Sequence, residues 1–271
     1  MPTYQMHWGL RESPFRGCLD PQFFYQSPTH EEALARLQFL IEQHRRLGVL
    51  LGPAGGGKSF LLEVFARGLH RSGRPVAKLS LLGLEPAEML WLLAAAFHLD
   101  PDPEESVAAL WRAITDRLAE YRYQQLETVI LLDDADRASR GVLDQVARLA
   151  QFDPSVEMRL TIVLAGRPEG MGRLGRPLLD LAELRIDVEP WEQADTTDFL
   201  NSSLTRAGRH SSVFADPAVA RLHELSHGIP RKITQLADLS LLAGAGANLE
   251  QIEADVVESV YHELGIVEAS V

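Results

Sequence analysis

Hydrophobic and polar positions follow two different periods along the middle of the chain. Between residues 48 and 190, short and almost wholly apolar runs alternate with longer stretches in which apolar residues recur at helical spacing. The apolar runs are typical of parallel strands buried on both faces, and the longer stretches are typical of amphipathic helices. Because strands and helices alternate, the region predicts an α/β fold in which a parallel five-stranded sheet is sandwiched by helices.

The two ends of the chain show other patterns. Residues 191–271 contain helical patterns without a strand pattern, which predicts an all-helical C-terminal domain. Residues 1–29 are polar, aromatic and punctuated by prolines, which predicts an extended strap. We therefore divide the chain into an α/β domain over residues 1–190, which includes the strap at 1–29, and a helical domain over residues 191–271.

Composition narrows the class of protein. The 271 residues are 46% hydrophobic and carry a net charge of −12, which is typical of a globular protein that does not attract nucleic acid or anionic membranes through its bulk charge. The longest apolar run, residues 89–97, is far shorter than the roughly 20 residues that span a bilayer. Cys18 is the single cysteine, which excludes an internal disulfide and favours a reducing compartment. We expect a cytoplasmic protein without membrane association.

A glycine-rich turn carries the clearest chemistry. The segment GPAGGGKS fits the phosphate-loop motif G-x-x-x-x-G-K-[ST], and it lies between a predicted strand and a predicted helix. Its glycines allow successive backbone N–H groups to converge on phosphates, while Lys58 neutralises the β and γ oxygens and the Ser59 hydroxyl ligates Mg²⁺. The motif predicts ATP and Mg²⁺ as ligands. The predicted nucleotide-binding residues are Gly52, Pro53, Ala54, Gly55, Gly56, Gly57, Lys58, Ser59 and Phe60.

Two adjacent acids follow a later apolar strand in the segment TVILLDDAD. We expect Asp133 to hold Mg²⁺ and Asp134 to orient or deprotonate the water that attacks the γ-phosphate. Both the acids and the phosphate loop lie at the carboxyl ends of predicted strands, where open α/β sheets bind ligands.

Longer stretches carry a family resemblance. It rests on HWGLRESPF and LDPQFFYQSPTHEEALARLQFLI near the N-terminus, on GVLLGPAGGGKS, VILLDDAD and TIVLAGRPE, and on SHGIPRKITQLAD. Over about residues 4–262 the chain resembles the AAA+ ATPases of the general secretion pathway protein A (ExeA) type, and more distantly the transposition helper ATPases. The resemblance implies a P-loop NTPase core with a C-terminal helical AAA+ lid, and hydrolysis coupled to lid closure, homo-oligomer assembly and partner engagement.

The resemblance also assigns roles to individual residues. Arg231 in GIPR matches the sensor-2 arginine, which reports the γ-phosphate by closing the lid, and Arg167 in LAGRPE stands at the sensor-1 position near the same phosphate. We thus expect Lys58, Asp134, Arg167 and Arg231 to be catalytic. The strap and the helix after it are implied to flank the adenine, through Phe15, Phe24, Tyr25, His30 and Ala33.

The chain departs from the family at two site positions. Asp134 stands where the family usually has Glu, and because Asp is one methylene shorter we expect looser water positioning and slower hydrolysis, although some AAA+ initiators carry the same Asp-Asp pair. Arg167 replaces a smaller polar group. The segment before EPW lacks a clear arginine-finger pattern, so Arg173, Arg176 and Arg185 all stay open as the finger.

Other functions stay open beside the ATPase. One is a nucleotide-dependent switch that barely hydrolyses and recruits a protein or DNA partner. DNA would be held by a local basic patch, either Arg67, Arg71 and Arg74 or Arg45 and Arg46. Another is a zinc hydrolase, because HELSH at residues 223–227 matches H-E-x-x-H with Glu224 as the base. Gly228 and Pro230 follow at once, which argues for the end of a helix instead.

Overall fold

A computed structural model describes residues 3–17, 19–153 and 159–268 of the chain. Five strands form one parallel sheet in the order β2-β3-β4-β1-β5. The strands are β1 (Leu47–Leu51), β2 (Val76–Ser80), β3 (Thr128–Asp133), β4 (Leu160–Gly166) and β5 (Leu184–Asp187). Each of β1, β3 and β4 is buried along its whole length, as the apolar runs predict for strands covered on both faces.

Helices connect and follow the strands. Those before β5 are α1 (Thr3–Trp8), α2 (Pro28–Glu42), α3 (Lys58–Arg71), α4 (Pro86–Ala96), α5 (Val107–Tyr123), α6 (Arg140–Ala150) and α7 (Arg176–Leu179). After β5 come α8 (Gln193–Arg206), α9 (Asp216–Ser226), α10 (Pro230–Gly246) and α11 (Ala254–Glu268). Short 3₁₀ helices occupy Pro21–Phe23, Ala135–Arg137 and Pro168–Leu174. The parallel sheet with helices around it and the helical C-terminal region confirm the predicted fold class.

One compact unit comprises residues 28–53 and 58–188. Its core joins the apolar strands to the buried faces of α4, α5 and α6, with Leu90, Ile114 and Val146 each 0% exposed. The strand register places Leu51 beside Gly166 and Asp187, and Ser80 beside Asp133. The carboxyl ends of these strands therefore meet at one edge of the sheet, where the sequence places its candidate chemistry.

The other compact unit comprises residues 1–27, 54–57 and 189–271. Its core is built from the C-terminal helices together with apolar side chains of the N-terminal segment. Trp8 is 1% exposed, and its indole Nε1 donates a hydrogen bond to the Leu241 carbonyl at 2.8 Å. Phe15 packs against Phe199 and Phe214, with ring centroids 5.8 and 6.3 Å apart.

The N-terminal segment differs from the extended strap that the sequence predicts. It begins with helix α1, and it belongs to the same compact unit as the C-terminal helices. The physical reason is burial of large apolar groups, since Trp8, Leu10 and Phe15 are all at most 4% exposed in the second core. The division of the chain near residue 190 stays a prediction. Cys18 lies outside the described residues. Among the residues that the structure describes, no helix combines the length and the hydropathy that a membrane span requires.

Candidate functional site

The phosphate loop joins the end of β1 to the start of α3. Gly55 and Gly57 have φ angles of +80° and +95°, which side-chain-bearing residues rarely adopt. Gly52 is confined for another reason, because a Cβ there would meet the carbonyl oxygen of Val188 at 2.7 Å. Helix α3 then begins at Lys58, so Ser59 and Phe60 lie in its first turn. The loop has the turn and the helix N-terminus that the motif predicts.

Lys58 is held over its own loop. Its Nζ donates to the carbonyl oxygens of Gly52 at 2.8 Å and Pro53 at 2.9 Å. Burial lowers the pKa of Lys58, and the carboxylates of Asp133, Asp136 and Asp134 act against that lowering. A half-buried ammonium is costly to keep charged, so an anionic ligand in this loop gains a strong electrostatic partner.

The two predicted acids lie at the end of β3. Asp133 is 7% exposed, and its Oδ1 accepts a hydrogen bond from the Asp134 backbone N–H at 2.9 Å. Asp134 turns the chain with a left-handed φ of +55°. Its Oδ2 accepts a hydrogen bond from the Ser80 hydroxyl at 2.8 Å, so the neighbouring strand β2 fixes this carboxylate.

Arg167 follows directly after β4 and forms an ion pair that the sequence analysis did not foresee. Its Nε donates to Oδ2 of Asp136 at 2.8 Å, and the hydrogen bond and charge of Asp136 raise the pKa of Arg167. Asp136 is 4% exposed, whereas the Arg167 side chain is 45% exposed. Asp136 and Ser80 are not among the residues predicted from the sequence; the third acid of LLDDAD is a visible signal for Asp136, but nothing in the sequence marks Ser80.

These residues fit a nucleoside triphosphate with Mg²⁺. The left-handed glycines and the first turn of α3 provide backbone donors for phosphates, and Lys58 provides a positive charge. The Ser59 hydroxyl and the Asp133 carboxylate are oxygen ligands of the type that Mg²⁺ prefers. Asp133 and Asp134 lie at the end of β3, Arg167 follows β4 and the loop with Lys58 follows β1, and the parallel register of these strands brings these predicted residues to one edge of the sheet. Their catalytic roles stay predictions.

Arg231 is the second residue of α10. Its backbone N–H donates to the Gly55 carbonyl at 3.2 Å, and a Cβ on Gly55 would lie 2.9 Å from the Arg231 Cβ. Residues 54–57 belong to the same compact unit as α10, so the backbone of this loop and the helix start form one packed segment. The Arg231 side chain is exposed, and its sensing role stays a prediction.

The residues expected to flank adenine lie in different environments. Phe15 is buried in the core of the C-terminal unit, so its ring serves packing there. The Tyr25 ring packs edge-on against Trp191 at 5.1 Å. His30 and Ala33 lie on the buried face of α2. An adenine contact from Phe15, Phe24, Tyr25, His30 or Ala33 stays a prediction.

The three arginine-finger candidates also differ. Arg185 is held by Asp187 on the same edge strand, with Nε and Nη2 both donating to its carboxylate at 3.0 Å or less. Arg173 lies in the 3₁₀ helix after β4 and Arg176 begins α7, and both are exposed. The choice among them stays open, but Arg185 already has a bidentate carboxylate partner.

The HELSH segment does not form a two-histidine helical motif. Helix α9 ends at Ser226, and His227 takes a left-handed φ of +53° after it. His223 Nδ1 is 2.9 Å from the Thr196 hydroxyl, and Glu224 accepts a hydrogen bond from Arg221 at 2.6 Å. Within the described ranges, no group of three or more His, Cys, Asp or Glu side chains could hold a metal ion.

The basic face suggested for DNA is partly neutralised. Arg67 pairs with Glu63 at 2.9 Å and Arg74 pairs with Glu127 at 2.7 Å. Arg71 lies at the end of α3. Two of the three arginines are therefore paired with carboxylates rather than set in an unopposed patch. DNA binding at this face stays a prediction.

Known proteins resemble this chain in sequence. Residues 41–174 match the family model of the AAA domain. General secretion pathway protein A of Aeromonas hydrophila is 28% identical over 268 residues, which cover 97% of this chain and 49% of that relative. An uncharacterized HTH-type transcriptional regulator of Methanocaldococcus jannaschii is 27% identical over 148 residues, 51% of this chain and 35% of that protein. The chain thus spans half or less of the length of these relatives.

Solved structures share the fold. The ORC1 protein of Aeropyrum pernix, solved in complex with DNA, has a TM-score of 0.68 and 18% identity, covering 94% of this chain and 69% of that one. The Holliday junction branch migration motor RuvB of Thermotoga maritima has a TM-score of 0.59 and 16% identity, covering 93% and 74%. At these identities the likeness concerns the fold.

Proposed function

We propose that this chain, whose residues 41–174 match the AAA domain, works as an AAA+ ATPase that binds and hydrolyses ATP with Mg²⁺. We further propose that its nucleotide state drives closure of the C-terminal helices, homo-oligomer assembly and engagement of a protein partner. The observation that carries the ATP site is the half-buried Lys58 ammonium, which lies over a loop whose glycines take left-handed conformations.

Each predicted residue has a task in the hydrolysis. Lys58 binds the β and γ oxygens, and Ser59 with Asp133 would hold Mg²⁺, which when bound neutralises charge on the same oxygens. Asp134 orients the attacking water and accepts its proton while the bond between the γ-phosphorus and the bridging oxygen breaks. Arg167 and Arg231 stabilise and sense the γ-phosphate.

The binding test compares two lysines. Lys58→Ala should weaken binding of a fluorescent ATP analogue by at least about 100-fold, because an ion-paired phosphate contact is lost in a partly desolvated site. Lys78→Ala is the matched control. Lys78 lies on β2, outside the phosphate loop, and pairs with Glu63 on α3, the helix that begins with Lys58. Equal affinity of Lys58→Ala and the parent protein would refute the proposal.

A nucleotide-dependent switch that hydrolyses slowly is the second candidate. The observation that favours it is Asp134, whose side chain is one methylene shorter than the Glu that the resemblance leads us to expect at this position. Steady-state phosphate release from wild type and Asp134→Asn separates the two functions. A rate at least about tenfold higher in wild type supports the ATPase, whereas equal slow rates support the switch.

Assembly and partners need a separate measurement. Sizing the protein with and without ATP and Mg²⁺, and with and without duplex DNA, tests the proposed oligomer and the local DNA patch together. The ORC1 protein of Aeropyrum pernix was solved with DNA, and that property belongs to that protein. A single size under all four conditions contradicts nucleotide-dependent assembly and DNA binding by this chain.

A further inference from the structure

We infer that Asp136 is a positioning residue that aims Arg167 at the γ-phosphate, an inference that rests on the proposed ATP site. Asp136 is the third acid of LLDDAD, and it follows Asp133 and Asp134, which have the proposed roles in phosphate chemistry. Its carboxylate is almost fully buried, and it accepts a hydrogen bond from Arg167 Nε at 2.8 Å. In this ion pair the Asp136 side chain is buried, whereas the Arg167 side chain is half-exposed.

The Asp136 side chain has little room to move. A Cβ on Gly170 would lie 2.3 Å from the Asp136 Cβ and 3.0 Å from its Oδ2, and a Cβ on Gly166 would lie 3.0 Å from its Oδ1. The two glycines therefore form a slot around this carboxylate. The same segment carries Arg167 between them, so the anchor and the arginine are held by one stretch of backbone.

The geometry of the ion pair leaves half of the guanidinium for another ligand. An arginine presents donors on two edges, and Asp136 engages Arg167 through Nε. Among the residues that the structure describes, Nη1 and Nη2 of Arg167 donate no hydrogen bond. A guanidinium fixed on one edge loses less rotamer freedom when its other nitrogens bind a phosphate.

The strand register places Arg167 close to the phosphate loop. Gly166, the residue before Arg167, pairs with Leu51 on the neighbouring strand β1, and Gly52 follows Leu51 directly. An anion bound at Lys58 therefore lies within the electrostatic reach of Arg167. Because ADP lacks the γ-phosphate, the Asp136 anchor should affect affinity for ATP and leave affinity for ADP unchanged.

The test measures the ratio of affinities for a non-hydrolysable ATP analogue and for ADP, both with Mg²⁺. Asp136→Asn keeps the shape of the side chain but removes its charge, and it should lower the ratio about tenfold, the worth of one charge-assisted hydrogen bond. Gly170→Ala should do the same, because its methyl group displaces Asp136 without touching Arg167 chemistry. Gly172→Ala is the matched control, since a Cβ there meets nothing within 4 Å.

The outcomes separate this inference from the proposed function. If the ratio stays at the wild-type value in Asp136→Asn and Gly170→Ala, or if both ligands weaken equally, Asp136 is a structural acid and the inference is wrong. If the wild type binds neither nucleotide, the proposed function itself fails. If Asp136→Asn does not fold, Arg167→Lys is measured instead. The lysine keeps a positive charge beside Asp136 but lacks the second donor edge of a guanidinium, so the ratio should fall about tenfold.

Discussion

Ser80 gives a test at the scale of one hydrogen bond. Its hydroxyl fixes Oδ2 of Asp134, the proposed water-orienting carboxylate. We expect Ser80→Ala to lower the rate of phosphate release about tenfold with ATP affinity unchanged, because a mobile carboxylate orients water poorly. Ser80→Thr keeps the hydroxyl on a strand and should retain the rate. A Ser80→Ala rate equal to wild type would contradict this role.

Lys58 ties stability to pH through its lowered pKa. Because burial lowers the pKa in the folded state, the unfolded chain binds more protons between that lowered value and the ordinary value of 10.5. The stability of wild type should therefore rise relative to Lys58→Met as the pH increases through this window. Melting temperatures of both proteins without nucleotide measure the effect. A difference that stays constant with pH would contradict the depressed pKa.

Trp8 gives the prediction at the scale of elements. It joins α1 to α10 through a buried indole, which lies 2.9 Å from where a Cβ on Gly244 would be. We expect Trp8→Ala to cost about 3–5 kcal/mol of unfolding free energy in the C-terminal unit, as deletion of a large buried ring does. Hydrogen exchange of α10 amides measures the loss. Met6→Ala, on the same helix but 70% exposed, should leave exchange unchanged.

The sequence predicts some elements closely and others poorly, for physical reasons. Strands β1, β3 and β4 begin and end within one residue of their apolar runs. Because these strands are buried on both faces, their sequences are continuously apolar and their ends are easy to recognise. Helix α3 begins at Lys58, where the sequence predicts a helix, because the phosphate motif marks its start. The extended conformation predicted for residues 1–29 is wrong at α1, because the partner of Trp8 lies 233 residues away and leaves no local period. Lys58 and Asp133 follow from motifs, whereas Ser80 and Asp136 depend on the strand register and chain packing, which no motif encodes.

The whole molecule supplies a prediction about assembly. If oligomers form with ATP, one exposed arginine should reach the site of a neighbouring copy. We expect Arg173→Ala or Arg176→Ala, rather than Arg185→Ala, to lower phosphate release about 100-fold while monomer affinity for ATP stays unchanged, since Arg185 is occupied by Asp187. Rates measured against protein concentration test this. A comparable loss in Arg185→Ala alone would reverse the assignment.

The C-terminal core joins segments that are far apart in the chain, and this affects how the protein folds during translation. A translating ribosome releases Trp8 first and the Leu241 carbonyl that receives its indole more than two hundred residues later. The side chains of Trp8, Leu10 and Phe15 therefore stay without their core partners while the strands of the sheet are being synthesised. Until α10 has been synthesised, this stretch therefore exposes apolar surface to which a chaperone can bind.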